Sequence, residues 1–388
     1  MTIIGIGEDG LAGLSEASRK ALERAETVFG GERHLKLAGI DRRGKPWPVP
    51  FDTACVVTQR GRPTAVLASG DPFWHGAGGT LASQLSRDEW IAHPSPSTFS
   101  LAASRLGWTL ETTICIGLHA APFERLIPLL ARGARIICLL RDAKGAADLA
   151  RWLTARGWGA SALWTLSALG GPRESVTESR ADNYSAEPAA TPLAVAIEAD
   201  GASGLSRASG LADDLFKHDG QITKRPMRAL ALSALAPRPG ERLWDIGAGS
   251  GSISVEWALA GGTSTAIEAR DDRAKNIHLN VEAFGLAHRI TVVTASAPGG
   301  LSSLEKPDAV FIGGGFDAAM FEAVWSQLLA GTRIVAHGVT LETEALLADL
   351  HQKHGGDLMR IEILHAAPLG RYRSWEASRP VVQWSVVK

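Results

Sequence analysis

The residues best placed to do chemistry sit where an apolar run opens into small residues. Gly247-Ala248-Gly249-Ser250-Gly251 follows Leu243-Trp244-Asp245-Ile246, and a helical stretch continues from about Ser252 to Leu259. Glycines let a backbone approach a ligand closely, and the first turn of a helix offers N–H groups with no partner of their own. The next strand-like run, Ser264 to Glu268, ends in a carboxylate 21 residues after Gly247. An acid at that place accepts hydrogen bonds from both hydroxyls of a ribose. A dinucleotide loop asks for Gly-x-Gly-x-x-Gly. Here Ser252 stands at the third glycine position, and the third glycine is Gly251. With no pyrophosphate to cradle, that spacing suits a nucleoside.

A second set lies near the N-terminus. Gly5-Ile6-Gly7-Glu8-Asp9-Gly10 matches the dinucleotide spacing taken alone. The next strand-like run, Thr27-Val28-Phe29, ends in Gly30-Gly31 with no acid at its tip, which argues against a dinucleotide. Ala65 to Ala68 then leads into Ser69-Gly70-Asp71-Pro72-Phe73-Trp74-His75-Gly76. Pro72 fixes its own φ and Gly70 permits a tight turn, so Asp71 is set where a strand meets a crevice. Pro94-Ser95-Pro96-Ser97-Thr98, a loop of small hydroxyls, precedes a helix from Phe99 to Leu106. Each loop alone reads as an ordinary turn. The small-hydroxyl loop is suited to holding a cofactor.

Positioning these loops requires layered elements. Short apolar runs alternate with amphipathic stretches in both halves, which argues for α/β layering. In the second half, Ile290–Thr294, Ala309–Ile312 and Thr332–Ala336 predict strands three to five, and Leu358–Leu364 and Val381–Val387 the last two. The small, polar, glycine-rich stretch from Glu198 to Gly210 has linker chemistry. The boundary is therefore expected near residue 203, giving domains 1–202 and 203–388. A chain of 388 residues is long enough for two.

The Gly-x-Gly-x-Gly loop with a carboxylate closing the second strand resembles class I methyltransferases that use S-adenosylmethionine (SAM). That resemblance implies a Rossmann-like sheet of seven strands, including an antiparallel edge strand. It also implies cofactor contacts from Gly247, Ala248, Gly249, Ser250, Gly251, Glu268, Thr223 and Ala295. Asp245 would orient the loop or meet the amino-acid end of SAM. Members that methylate base amino groups resemble one another in an (Asn/Asp)-Pro-Pro-(Tyr/Phe) segment after strand four. Gly313-Gly314-Gly315-Phe316 stands there instead, which removes the clamp for a flipped base and leaves room for something broad.

The three N-terminal loops, with Leu169-Gly170-Gly171-Pro172-Arg173-Glu174, resemble the tetrapyrrole (corrin/porphyrin) methylase family. That family binds SAM between two α/β lobes, here roughly 1–110 and 111–200, and the resemblance implies cofactor contacts from Gly7, Gly70, Asp71, Ser97 and Thr98. Many members read Gly-x-Gly-Pro-Gly; Glu8-Asp9 replaces Pro-Gly in this chain, at a loop that shapes the substrate side. The pairing of the two domains resembles the decarboxylating precorrin methyltransferases of cobalamin biosynthesis. It implies two SAM sites and a tetrapyrrole substrate, precorrin-6B. Carbon 5 would be methylated by the first domain. Carbon 15 would be methylated by the second, with loss of carbon dioxide from the ring C acetate, giving precorrin-8X. Relatives of both halves form homo-oligomers, so a homo-oligomer is expected. The alternatives are a SAM-dependent methyltransferase for another acceptor, or a sensor of SAM or corrinoid without turnover; intact loops and Glu268 favour turnover.

Ahead of the second domain's glycine loop, the run Lys217 to Arg228 holds four Lys or Arg and one His. It reads either as a solvated helix start or as a lid presenting cations to carboxylates, with Lys224 and Arg225 as the substrate contacts. Arg371, Arg373 and Arg379 form a second basic cluster. No catalytic residue is assigned, although His218, His337 and Asp219 lie near the motifs. Trp74, Trp325 and Trp375 are candidates for flat walls against a macrocycle. The net charge of −1 supplies no field for nucleic acid or an anionic membrane. No apolar run reaches the ~20 residues of a membrane span. The N-terminus runs straight into Ile3-Ile4-Gly5-Ile6 without the features of a signal peptide, so a cytoplasmic protein is expected. Cys55, Cys115 and Cys138 are odd in number and lie in apolar runs, so they read as reduced core residues, with no metal implied.

Overall fold

The computed structural model describes residues 1–185 and 189–388. The chain forms two compact units, one of Met1–Phe123 with Leu129–Gly204 and one of Glu124–Pro128 with Leu205–Lys388.

The first unit begins with β1 (Thr2–Ile6), β2 (Thr27–Gly30), β3 (Gly44–Pro46), β4 (Thr64–Ser69) and β5 (Ile91–His93). They make a parallel sheet in the order β3-β2-β4-β1-β5. Its central strands are apolar at nearly every position because both faces are covered. Ile4, Ile6 and Leu67 pack with Leu14, Leu22 and Leu35 on one face, and Ile3 and Val66 with Val56 and Leu81 on the other. The helix Glu16–Arg24 starts where Ser15 Oγ accepts the Ser18 N–H at 3.1 Å, an N-cap. A second sheet contains β6 (Thr113–Gly117), β7 (Arg135–Leu140), β8 (Ala162–Ser167), β9 (Ser175–Arg180) and β10 (Leu193–Glu198), in the order β6-β7-β10-β8-β9. Here β10 runs antiparallel to both of its neighbours.

The second unit adds β11 (Arg242–Ile246), β12 (Thr263–Glu268), β13 (Ile290–Thr294), β14 (Ala309–Ile312), β15 (Arg333–Gly338), β16 (Asp357–Ile361), β17 (Leu364–Leu369), β18 (Tyr372–Ala377) and β19 (Val381–Val387). Seven of them form one sheet in the order β13-β12-β11-β14-β15-β19-β16, the Rossmann-like arrangement expected of this half. Two details differ from the sequence-based reading. The antiparallel strand is β19, and it lies inside the sheet, with β16 at the edge. The reason is burial: Val382, Trp384 and Val386 enter the core while Gln383 is buried beside them, so β19 needs cover on both faces. The predicted strand Leu358–Leu364 also splits. Its end belongs to an exposed hairpin, β17–β18, paired only with itself. Among the described residues no helix is long and apolar enough to cross a membrane.

Candidate functional site

In the second unit β11 hands the chain to the glycine loop, and the helix Ser252–Leu259 follows. Gly247, Gly249 and Gly251 all have positive φ. A Cβ on Gly247 would lie 2.9 Å from the Gly314 carbonyl, so this glycine lets the first loop and the loop after β14 meet. The loop is tied to β12 at several points. Gly247 and Ala248 N–H groups donate to the Ile267 carbonyl at 2.9 and 3.1 Å. Glu268 Oε2 accepts the Gly249 N–H at 2.9 Å, and Oε1 accepts the Arg270 N–H at 3.0 Å. Ala295 N–H reaches the Glu268 carbonyl at 3.1 Å. Gly249, Glu268 and Ala295 are thereby brought to one edge of the sheet. Each carboxylate oxygen of Glu268 keeps a second lone pair, so the residue can hold the loop and still accept from a ribose.

Asp245 is 1% exposed. Its Oδ2 accepts the Ser254 N–H at 3.1 Å and the Ser254 hydroxyl at 2.6 Å, which fixes the helix start against β11. Its Oδ1 has no partner. Burial, with the Glu268 charge as a smaller cause, pushes this carboxyl up to about 6. Ser250 Oγ is likewise buried without a partner. Two unpaired buried polar atoms beside a glycine cradle fit a ligand carrying donors and acceptors, as SAM does.

The segment before the loop is held from two sides. Asn280, fully buried, donates to the Ser250 and Lys217 carbonyls at 2.8 and 2.9 Å, and its Oδ1 accepts the Lys217 N–H at 2.7 Å. Arg228, also fully buried, donates to Glu256 at 2.5 Å, to Asp213 at 3.1 Å and to the Thr223 carbonyl at 2.6 Å. Glu256 in turn accepts the Gly210 and Leu211 N–H groups at 2.7 and 2.9 Å. Arg228 therefore leaves the set of cations a lid could present: it is an internal tie of the strap and not a surface charge. Lys224 and Arg225 are exposed at the start of the helix Arg225–Leu235, directly after Thr223. Asp219 pairs with Arg273 at 2.9 Å and accepts the Gln221 N–H, and both hydrogen bonds hold its carboxyl below the usual range. His218 Nδ1 accepts the Gly220 N–H at 3.0 Å. His337 is 8% exposed and bonded to Gln383 at 2.9 Å, and burial lowers its basicity. It is a core residue.

In the first unit the three expected loops converge. Ile6 pairs with Ser69 and Ile4 with His93, so the loops after β1, β4 and β5 leave the same edge of the sheet. Gly70 N–H donates to the Ile6 carbonyl at 3.1 Å, Ser95 N–H to the Gly70 carbonyl at 3.2 Å, and Ser95 Oγ to the Gly5 carbonyl at 2.8 Å. A Cβ on Gly5 would lie 1.9 Å from the Gly70 oxygen. Two of these three hydrogen bonds are backbone to backbone, and the Ser95 hydroxyl supplies the third. Gly7 follows β1, and its carbonyl accepts the Gly10 N–H at 3.1 Å. Asp71 Oδ1 accepts the Phe73 N–H at 2.8 Å. Ser97 caps the helix Thr98–Leu106, its Oγ accepting the Ser100 N–H at 3.1 Å, and Thr98 is the first residue of that helix. Trp74 packs on Phe99 at 4.8 Å between centroids. Trp325 packs on Phe321 and His354, whereas Trp375 is 71% exposed on the β17–β18 hairpin.

Cys138 is buried and Cys55 and Cys115 are half-buried; burial pushes the Cys115 thiol up to about 11. Among the described residues no group of three or more His, Cys, Asp or Glu is arranged to hold a metal ion. Sequence reasoning missed Asn280 and the Arg228–Glu256 pair. The signal for Asn280 was present: it interrupts the apolar stripe Ile277, Val281, Phe284 at helical spacing.

Comparison with known proteins bears on both units. The family described as tetrapyrrole (corrin/porphyrin) methylases matches residues 1–184, and the precorrin methyltransferase domain family matches residues 214–388. The precorrin-6Y C(5,15)-methyltransferase [decarboxylating] of a Sinorhizobium species is 46% identical over 399 residues, covering 100% of this chain and 96% of that protein. The protein of the same name from Mycobacterium tuberculosis (strain CDC 1551 / Oshkosh) is 38% identical, covering 100% of this chain and 99% of its own length. Over part of its length the chain also resembles a shorter protein, a probable cobalt-precorrin-6B C(15)-methyltransferase (decarboxylating) of Saccharolobus solfataricus. It is 41% identical over 142 residues, which cover 34% of this chain and 71% of that protein. The chain belongs to the decarboxylating precorrin-6Y C(5,15)-methyltransferase family, a family of SAM-dependent enzymes built from a tetrapyrrole methylase domain and a Rossmann-like methyltransferase domain.

Proposed function

We propose that this chain methylates precorrin-6B at meso carbons 5 and 15 and removes carbon dioxide from the ring C acetate, giving precorrin-8X. It does so with one SAM site in each unit, without a metal, in the cytoplasm and as a homo-oligomer. What supports the reading is a match to relatives of that activity over the whole chain, combined with glycine loops formed in both units. Carbon 15 and the decarboxylation are assigned to residues 203–388; in support, residues 214–388 match the precorrin methyltransferase domain family, and a relative named for those two steps aligns with only 34% of this chain. Carbon 5 then falls to residues 1–202.

SAM supplies a methyl group on a positive sulfur. In the second unit Gly247, Ala248, Gly249, Ser250, Gly251, Glu268, Thr223 and Ala295 would hold it, with Glu268 on the ribose and the free Asp245 oxygen toward the amino-acid end. In the first unit Gly7, Gly70, Asp71, Ser97 and Thr98 would do so. The chain's work is to align a nucleophilic ring carbon and to keep water out, and alignment alone can supply much of the acceleration. Methylation leaves the conjugated ring electron-poor. As the acetate C–CO₂ bond breaks, its electron pair enters the ring. A cation gripping that carboxylate would oppose its loss, so Lys224 and Arg225 are assigned to other carboxylates. Replacing either by alanine should raise the macrocycle KM more than it lowers kcat; a pure kcat defect would contradict the assignment.

The deciding experiment incubates precorrin-6B with the protein and isotope-labelled SAM. Mass spectrometry should show two labelled methyl groups gained and one carbon dioxide lost. An unchanged mass with folded, SAM-binding protein would overturn the substrate.

A further inference from the structure

The Glu8 that stands where tetrapyrrole methylases commonly carry proline is 6% exposed. A buried carboxylate requires compensation, and two arginines supply it. Arg33 Nη1 donates to Glu8 Oε1, and Arg173 Nη2 donates to Oε2 at 3.1 Å. Arg33 lies in the first turn of the helix Glu32–Leu37 that follows β2, and its Nη2 also contacts His34 Nε2 at 2.9 Å and Ser69 Oγ at 3.3 Å. Arg173 comes from the Leu169–Glu174 turn, whose Gly171 packs on Glu8 so closely that a Cβ there would lie 2.5 Å from the Glu8 Cβ. The cluster thus joins the C-terminal ends of β1, β2 and β4, the edge of a parallel sheet where ligands bind.

The charges do not cancel. Two guanidinium groups face one carboxylate, an excess of one positive charge. The neighbouring acids do not make up the difference. Glu174 is held by Arg105 at 2.5 Å and by the Gly170 N–H at 2.6 Å. Asp9 is turned over Gly13, and the space for a Gly13 Cβ is filled by the Asp9 carboxylate. His34 adds no charge, because burial and then the Arg33 charge lower it to about 4. Arg33 itself is made more acidic than usual, first by burial and then by repulsion from Arg173. The Arg173 side chain is 60% exposed, and its Nε and Nη1 have no partner among the described residues. Part of a planar donor fork therefore points away from Glu8.

We propose that Arg33 and Arg173, held by Glu8, form a carboxylate subsite of the first unit, and that it takes an acidic side chain of the macrocycle. The inference rests on the proposed function. A planar fork matches a carboxylate in a way a lysine does not. Glu8 buries part of each arginine's charge and fixes its direction, so the excess is presented at one place. A carboxylate could also come from the methionine end of SAM, and the experiment separates the two sources.

The test uses the full chain with precorrin-6B and SAM carrying a ¹³C methyl group, so that the two methyl positions resolve by NMR. For Arg173→Ala and Arg173→Lys, the KM of macrocycle and of SAM is measured for the methyl added by the first unit. A charge-assisted hydrogen bond lost from a site typically weakens binding about tenfold to a hundredfold. The expected result is a rise of that size in macrocycle KM for R173A, only partial rescue by R173K, and unchanged SAM KM and second methylation. A rise in SAM KM alone would assign the carboxylate to SAM and overturn the proposal. No change in either KM, with melting like wild type, would leave a structural ion pair and also overturn it. If wild-type protein adds no methyl to precorrin-6B, the functional reading itself fails, an outcome distinct from both. Arg173 is exposed, so its loss should leave folding intact; Glu8→Gln, which frees both arginines, gives a second reading of macrocycle KM.

Discussion

Asp245→Asn isolates the cost of the buried carboxylate beside the glycine loop. Below about pH 4 Asp245 is protonated in both folded and unfolded chains. Between the ordinary value of 3.8 and the folded value of about 6, the unfolded chain releases the proton while the folded chain keeps it. Stability therefore falls as pH rises through that window. Above about 6 the folded chain carries the full charge. A shift of about two pH units at ~1.4 kcal/mol each sets the cost at about 3 kcal/mol. Asparagine keeps an oxygen to accept the two hydrogen bonds from Ser254. The variant should thus be more stable than wild type at pH 8, by up to about 3 kcal/mol, and nearly equal to it at pH 4.

The same residue has one unpartnered oxygen, and an ionised Asp245 would attract the ammonium group of SAM. Wild-type affinity at that site should then tighten as pH rises through about 6, whereas D245N should bind more weakly and without that pH dependence. Denaturant unfolding of the intact chain at pH 4, 6 and 8, with SAM titrations at the last two, measures both. Equal destabilisation of D245N at every pH would refute the charge argument. It would make Asp245 a plain packing and hydrogen-bonding residue.

Other substitutions separate the units. Glu268→Gln places an amide where two backbone N–H groups need acceptors; the SAM KM of the second methylation should rise about tenfold to a hundredfold, with the first methyl still added, as isotope transfer would record. Gly5→Ala forces a methyl group within 1.9 Å of the Gly70 carbonyl; a loss of about 3 kcal/mol or more in unfolding experiments and absence of the first methyl alone are expected. Arg228→Met strands the Glu256 carboxylate in the core; chemical denaturation should show a loss of about 3–5 kcal/mol, and a neutral result would mean that Glu256 finds water or a proton.

The sequence made the loops legible because their chemistry is local. Glycine spacing, a carboxylate ending a strand, and Gly-Asp-Pro all lie within short windows. The strands behind them were legible for the same reason: Ile290–Thr294, Ala309–Ile312 and Val381–Val387 are compact apolar runs. What stayed hidden depends on distant partners. The place of β19 inside the sheet follows from burial on both faces, whereas period-two patterning speaks of one. The role of Arg228 is set by Glu256 and Asp213, which stand 28 and 15 residues away, so within the basic run it looked like one more surface cation. Arg33 and Arg173 lie 140 residues apart and meet only through Glu8. In the short window, Glu8-Asp9 registered only as a departure from Pro-Gly.

The two glycine loops approach one ligand problem with different charges. In the second unit the strand after the loop ends in Glu268, which grips Gly249 and keeps a second lone pair on each carboxylate oxygen. In the first unit the corresponding place, after β2, is Gly30-Gly31, and the next charged pair is Glu32-Arg33, with Arg33 turned to Glu8. No acid there can serve a ribose as Glu268 does. A nucleoside would have to be held by the loops that meet at Gly5, Gly70 and Ser95, through their backbone groups together with the proposed contacts Asp71, Ser97 and Thr98. Replacing the acid that ends the second strand therefore reads out only the second site, while glycine substitutions that push backbones apart read out the first. The Glu8 cluster on that side carries two arginines against one carboxylate, the excess positive charge that the proposed subsite would offer to an acidic side chain of the macrocycle.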